Sequence, residues 1–159
     1  MSTDFYTKSI LPYAAIIIKI CRAYTSTQQD YEDYYQEVCL QIWRSSGKFK
    51  GQSAWSTWIY RVSLNVCLTL LKKKKNNVQH TPSDAVPLEA LEESKAFTDE
   101  SLNQLYAAIR LLSEVDRAVI LLYLEEKSYK EIAEIMGTNP NSIGVRINRI
   151  KDRLRKKLT

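Results

Sequence analysis

The stretch SYKEIAEIMGTNPNSIGVRINRIKDR, residues 128–153, decides the fold of the C-terminal part of this 159-residue chain. Ser128 and Glu131 have the spacing of a capping box, which begins a short helix. Gly137 is placed to end that helix, and Pro140 stands where the first residue of the next helix belongs. A short helix, a tight turn and a longer helix are the proportions of a helix-turn-helix.

The second helix of this pair is predicted to have one apolar face and one polar face. Ile143, Ile147, Ile150 and Leu154 recur at helical spacing and form the apolar stripe. The opposite side carries amides, with a guanidinium group beside them, and these groups hydrogen-bond adenine and guanine edges in the major groove of DNA. Basic residues that follow, up to Lys157, suit phosphate contacts. The alternative is an ordinary amphipathic helix with a solvated basic face. The residues predicted to point outward are Asn141, Val145, Asn148 and Asp152, with Arg149 beside them.

Composition favours a helical protein with a polyanionic partner. The chain has only 4 Gly and 4 Pro, a formal net charge of +5 and a pI of about 9.0. Between Asn76 and Glu100 the sequence has six acidic residues and one basic residue, Lys95. The rest of the chain therefore carries a larger net positive charge than the chain as a whole. Such a distribution suits nucleic acid.

Cysteine and histidine usage argues against a metal site and against catalysis. Cys21, Cys39 and Cys67 form no CxxC pair and are predicted to be core thiols of a reduced, cytoplasmic protein. His80 is the only histidine, and no convincing acidic metal cluster is visible, so we expect neither a cofactor nor an enzyme. The apolar run Tyr13–Ile18 is too short to span a bilayer, and no membrane insertion is predicted.

The N-terminal block, up to about Lys75, is predicted to be helical. One helix begins at the capping residue Thr27 and runs to Trp43, with Tyr31, Tyr34, Tyr35, Val38 and Ile42 as its buried stripe. Its other face presents acids, an amide and a leucine, with Trp43 at the far end, a pattern typical of either a protein-binding surface or a solvated acidic helix face. A long helix follows a polar loop. The core face predicted for that helix comprises Trp55, Trp58, Ile59, Val62, Val66 and Thr69.

These patterns together predict an all-α protein of two small helical domains joined by a flexible linker. The domains are expected at residues 1–75 and 101–159, the second being the helix-turn-helix. The acidic segment 76–100 contains two prolines and no clear periodicity, and is predicted to be the linker.

Three groups of segments resemble the sigma factors of bacterial RNA polymerase, the sigma-70 family. Residues 30–43, DYEDYYQEVCLQIW, are similar to the helix with which these factors hold the clamp coiled coil of the polymerase. Residues 49–65, FKGQSAWSTWIYRVSLN, resemble the loop and helix that melt and read the −10 promoter element. Residues 112–120, 128–136 and 141–149 resemble the domain that reads the −35 element. The overall layout is similar to that of the extracytoplasmic-function (ECF) branch, the two-domain minimal form.

The resemblance implies a role for individual residues. The implied polymerase contacts are Asp30, Asp33, Gln36, Glu37 and Leu40. The implied −10 contacts are Phe49, Lys50, Gln52, Ser53, Arg61 and Asn65. The implied −35 contacts are Asn141, Ser142, Gly144, Val145, Arg146, Asn148 and Arg149. Trp55 and Trp58 either stack on unpaired bases or pack in the core. The family usually has Lys or Arg at the position of Gly144.

The implied activity is promoter-specific initiation without catalysis, in the cytoplasm. The implied partners are core RNA polymerase, promoter DNA and, as a further candidate, an anti-sigma factor. The nearest alternative is a stand-alone helix-turn-helix regulator whose first block serves dimerisation or ligand binding. A second alternative is a sigma-like antagonist that binds polymerase and not promoters.

Overall fold

The computed structural model describes residues 2–77 and 100–158, which form two compact units. We call them the N-terminal unit and the C-terminal unit. Both are built from helices and turns, and neither described range contains a strand. The all-α prediction is therefore confirmed. Nearly all of the predicted linker, from residue 78 to residue 99, lies outside the described residues.

The N-terminal unit has three main helices preceded by short helical turns. The turns are α1 (Thr3–Phe5), a π-helical turn (Tyr6–Ile10) and a 3-10 turn (Leu11–Tyr13). The main helices are α2 (Ala14–Tyr24), α3 (Gln28–Ser45) and α4 (Trp55–Asn77), with a 3-10 turn (Ser46–Lys48) after α3. Thr27 caps α3 as predicted, because its hydroxyl accepts a hydrogen bond from the Asp30 backbone N–H at 3.1 Å.

The core of this unit lies where α2, α3 and α4 pack together. Its fully buried side chains include Ile17, Ile20, Val38, Ile42 and Ile59. The stripe predicted for α3 is confirmed at Tyr34, Val38 and Ile42, whereas Tyr31 and Tyr35 are only half-buried. The Tyr35 hydroxyl lies 2.9 Å from that of Tyr6.

The core face predicted for α4 was wrong in part. Apart from Ile59, the residues of α4 that are buried lie on a neighbouring face: Tyr60, Ser63, Leu64 and Cys67. Val62 and Val66 are half-buried, and Thr69 is exposed. The helix is apolar around much of its circumference, so the spacing of apolar residues alone does not single out one face.

The C-terminal unit consists of four helices. They are α5 (Glu100–Arg110), α6 (Glu114–Leu124), α7 (Tyr129–Met136) and α8 (Pro140–Leu158). Ser113 caps α6 by accepting from the Asp116 N–H at 3.2 Å. Arg117 closes the preceding turn, since its guanidinium donates to the carbonyls of Arg110 and Leu112 at 2.8 and 3.1 Å. Ile109, Leu122, Ile132 and Ile147 are completely buried between the helices.

The predicted helix-turn-helix is formed by α7 and α8. Both hydrogen bonds of the capping box are present: Ser128 Oγ accepts from the Glu131 N–H at 3.1 Å, and Glu131 Oε1 accepts from the Ser128 N–H at 3.4 Å. Gly137 ends α7 with φ of 74°, a left-handed conformation in which glycine pays no Cβ penalty. The Asn139 side chain then caps α8 by accepting from the Ser142 N–H at 2.9 Å.

Removal of the capping box should weaken the C-terminal unit measurably. Ser128→Ala is expected to lower its free energy of unfolding by about 1 kcal/mol, because the Glu131 N–H at the start of α7 loses its acceptor, the Ser128 hydroxyl. Urea denaturation would measure the change, and Ser128→Asp, which keeps an acceptor, should retain most of the stability. Hydrogen bonds from Ser128 lower the pKa of Glu131. The contribution of the wild-type box should thus be full at neutral pH and decline as Glu131 becomes protonated in acid. Equal stability of both variants and the wild type would contradict this role.

Candidate nucleic-acid interface

The outward face of α8 is built as predicted. Ile143, Ile147 and Ile150 are 0–1% exposed and anchor the helix against the rest of the unit. The positions predicted to point away from this stripe are exposed: Asn141, Val145, Asn148, Arg149 and Asp152. The helix therefore presents amides and a guanidinium group to solvent on the side opposite its anchor.

Arg146 lies at one edge of that face and is held within the unit. Its guanidinium is 2.6 Å from a carboxylate oxygen of Asp116, in the first turn of α6. Arg153, two turns further along α8, reaches the other oxygen of the same carboxylate at 3.8 Å. The Asp116 side chain is only 12% exposed, so this charge meets its partners in a partly desolvated place. Asp116 thus fixes the edge of α8 that bears these two arginines.

Gly144 lies where α7 and α8 approach each other. A Cβ added there would be 3.2 Å from Cε2 of the Tyr129 ring, which is closer than ordinary van der Waals contact. The absence of a side chain at this position therefore leaves room for the Tyr129 ring against α8. Nearby on α8, the Lys151 ammonium lies 4.5 Å from the centre of the Tyr123 ring. Gly144 and Lys151 thus each lie against an aromatic ring of a neighbouring helix.

An open groove of about 590 Å³ runs beside the turn of the helix-turn-helix. Its walls combine exposed polar groups with apolar side chains, including Val115 at the start of α6. From α8, the lining residues are Asn141, Ser142, Ile143, Val145, Arg146 and Arg149. Five of the seven predicted −35 residues thus border one concave surface: Asn141, Ser142, Val145, Arg146 and Arg149. Gly144 and Asn148 are not among them.

In the N-terminal unit, α3 presents the second predicted surface. Asp33 and Gln36 are exposed, Leu40 is half-buried, and Trp43 at the end of the helix is 41% exposed. Asp30 is ion-paired with Lys74 of α4, and Glu37 lies 3.8 Å from Arg44. All five predicted polymerase contacts therefore retain some exposure, and Asp33 and Gln36 are the most accessible of them.

The predicted −10 loop leads into an aromatic cluster. The Phe49 ring lies 5.1 Å from the Trp55 ring, edge to face, and 5.7 Å from that of Trp58. The two indoles stack at 4.9 Å, and Trp55 Nε1 donates to the Ser9 carbonyl at 2.9 Å. The three rings are half-buried, so they pack together while keeping part of their surface accessible. The loop residues Lys50 and Gln52 are exposed, and Ser53 is half-buried.

The remaining two −10 residues lie along α4. Arg61 is half-buried, and Asn65 is exposed at a groove of about 360 Å³ between α3 and α4. Glu37 and Gln41 of α3 border the same groove. The structure thus brings Asn65 of the predicted −10 set to the same groove as Glu37 of the predicted polymerase set.

Asp116 is the site residue that the sequence reasoning missed. Its partner Arg146 lies 30 residues further along the chain, so no local spacing links the two residues. Within residues 2–77 and 100–158, no cluster of three or more histidine, cysteine or carboxylate side chains is suited to hold a metal ion. In the same ranges, no helix has the length and hydropathy needed to cross a membrane.

The C-terminal unit has the architecture of a helix-turn-helix protein, and comparison with known proteins identifies the family of the whole chain. Residues 10–77 match Sigma-70 region 2, and residues 102–154 match Sigma-70, region 4. These two matches span most of the chain. The chain therefore belongs to the sigma-70 family.

Individual relatives belong to the ECF branch of that family. The chain is 29% identical to ECF RNA polymerase sigma factor SigG of Mycobacterium tuberculosis, over 90% of this chain and 46% of SigG. It thus spans about half the length of that relative. It is 28% identical to ECF RNA polymerase sigma factor SigW of Bacillus subtilis, over 98% of this chain and 89% of SigW.

A solved structure shares the fold. The sigma factor RpoE, in complex with the anti-sigma factor NepR from Bartonella quintana, superposes with a TM-score of 0.76. The two sequences are 24% identical, and the match covers 99% of this chain and 98% of RpoE. The resemblance inferred from sequence segments is therefore confirmed at the level of family and fold. Because matches to both sigma-70 regions occur in one chain, a stand-alone helix-turn-helix regulator is not favoured.

Proposed function

We propose that this protein is a sigma factor that binds core RNA polymerase and directs it to specific promoters. The observation that carries the proposal is the presence of sigma-70 regions 2 and 4, in that order, in one chain. The names of SigG and SigW as RNA polymerase sigma factors support the same activity. The chain would act by binding, without catalysis, and would work in the cytoplasm where the polymerase is.

The α3 face around Asp33, Gln36 and Leu40 is proposed to dock on the clamp coiled coil of the polymerase. Support comes from the exposure of the two polar side chains beside an incompletely buried leucine. Asp30 and Glu37 flank this face and already have cationic neighbours. They would contribute less than Asp33 and Gln36, because their charges are partly compensated before the polymerase arrives.

The two units are proposed to divide promoter recognition between residues 1–75 and 101–159. The N-terminal unit would hold unstacked −10 bases near Phe49, Arg61 and Asn65. Removing a base from the stack costs a few kcal/mol, which contacts in the pocket must repay. The α8 face would enter the major groove of the −35 element. Residues 76–100 would link the two domains.

An anti-sigma factor is a further proposed partner. Its support is the similarity in fold to RpoE, which is bound to the anti-sigma factor NepR in the solved structure. A partner of this kind would need to cover the polymerase-binding face or the DNA-binding face to keep the protein inactive.

The polymerase contact is testable with two substitutions on one face. Asp33→Ala combined with Gln36→Ala should weaken binding to core polymerase roughly tenfold or more, as expected for two lost interface hydrogen bonds of about 1 kcal/mol each. Fluorescence titration of labelled chain with core enzyme would measure this affinity. Asp4→Ala removes the same charge from α1 and should bind like the wild type. Equal affinities for all three proteins, with unchanged circular dichroism, would place the polymerase contact elsewhere.

A further inference from the structure

Val145 is an apolar residue at the centre of the outward face of α8. It lies between the buried residues Ile143 and Ile147 in sequence, and therefore on the opposite side of the helix. Its side chain is 52% exposed. A β-branched residue at an exposed helical position lowers helix propensity slightly and buries little surface in return. The stability of the unit therefore gives no reason for a valine at this position.

The neighbours of Val145 are hydrogen-bonding groups that leave it uncovered. Asn141, Ser142 and Arg149 border the same groove and are exposed. Arg146, the next residue along the helix, is directed to Asp116 at 2.6 Å and so does not fold over the valine. Among the exposed α8 residues that border the groove, Val145 is thus the one apolar side chain, while the α6 side of the groove contributes the exposed Val115.

The major groove of DNA offers one apolar group for contact with the Val145 side chain. Each base edge presents hydrogen-bond donors or acceptors there, and only thymine adds a methyl group, at C5. A valine flanked by asparagine and arginine side chains complements a stretch of the major groove in which a thymine methyl group lies beside the hydrogen-bonding groups of neighbouring bases. The alternative, an isolated exposed aliphatic residue without a role, is common on protein surfaces and predicts no dependence on that methyl group.

We propose that Val145 is a specificity-determining residue that contacts the C5-methyl group of one thymine in the −35 element. This proposal rests on the proposed function, and deepens it by naming a base and a chemical group at the −35 site. Val145 selects thymine over the other bases by burying that methyl, while the amides and Arg149 supply hydrogen bonds on either side.

The test removes the methyl group from the DNA. The full chain bound to core polymerase is first used to select its preferred −35 sequence from a duplex library. Each thymine of that sequence, on either strand, is then replaced singly by deoxyuridine, which lacks only the C5-methyl. One replacement should weaken wild-type binding about fourfold, the value of one buried methyl group. Val145→Ala should bind the thymine and deoxyuridine versions of that duplex with nearly equal affinity.

A matched control separates this contact from general effects of truncation. Leu124→Ala shortens a 49% exposed aliphatic side chain at the end of α6, away from the residues that line the groove, and should keep the fourfold dependence. A selected site without thymine, no sensitive position for the wild type, or equal sensitivity in Val145→Ala would each overturn the proposal. Selective binding without methyl dependence would overturn this inference alone. The absence of any −35 preference would overturn the proposed −35 recognition as well.

Discussion

Truncation of Trp58 to alanine is expected to lower the free energy of unfolding of the N-terminal unit by about 3 kcal/mol. Trp58 stacks on Trp55 at 4.9 Å and contacts Phe49 at 5.7 Å, so its loss removes one ring contact from each of these two side chains. Loss of a buried Trp costs about 3–5 kcal/mol, and the half-buried state of this residue favours the lower end of that range. Urea denaturation followed by far-UV circular dichroism would measure the change.

Trp43→Ala provides the matched control, because it removes the same side chain from an exposed position at the end of α3. We expect it to change the free energy of unfolding by no more than about 0.5 kcal/mol. The comparison also decides whether the indoles near the −10 loop stabilise the fold by packing or bind DNA by stacking on unpaired bases. A Trp58→Ala protein of wild-type stability that fails to open promoters would assign this ring to base stacking and contradict our packing interpretation.

The second large effect is expected at Arg149. Arg149→Ala should cost roughly 1–3 kcal/mol of −35 affinity and relax the preference at one base pair, as expected for a lost bidentate base contact. Arg149 is exposed and borders the groove beside α8, whereas Arg146 is held by Asp116. Binding to a −35 library at several salt concentrations would separate the two roles open to an arginine. A phosphate contact would weaken all sequences alike and reduce the salt slope by about one unit.

Arg153→Ala removes the same charge from the same helix. Its guanidinium lies 3.8 Å from Asp116, so we expect no change in base preference. Unaltered affinity, preference and salt slope in Arg149→Ala would remove this residue from the interface. They would also contradict the proposed orientation of α8 on DNA.

Local sequence signals predicted the helix starts well. The capping residues Thr27 and Ser128 each precede a helix, and each accepts the hydrogen bond expected from a backbone N–H three residues later. Capping depends on groups within one turn of the chain, so spacing alone is informative. The apolar stripe of α8 was equally clear, because the helix is strongly polar on its other side.

Features that depend on contacts between helices could not be read in this way. The pairing of Asp116 with Arg146 joins residues 30 positions apart, and the space at Gly144 is limited by the ring of Tyr129 from another helix. On α4, the choice of core face depends on the packing of α2 and α3 against it. Ser63 and Leu64 are consequently buried, where the sequence favoured Val62 and Val66.

The central claim is that this chain gives core RNA polymerase its promoter specificity. The most direct measurement is in vitro transcription with purified bacterial core enzyme on a library of genomic fragments, with and without the chain, followed by mapping of the 5′ ends. We predict start sites that depend on the chain and share two spaced sequence elements upstream. Those transcripts should fall sharply when Asp33 and Gln36 are both replaced by alanine. Sequence-specific DNA binding by the chain without any chain-dependent start site would contradict the account.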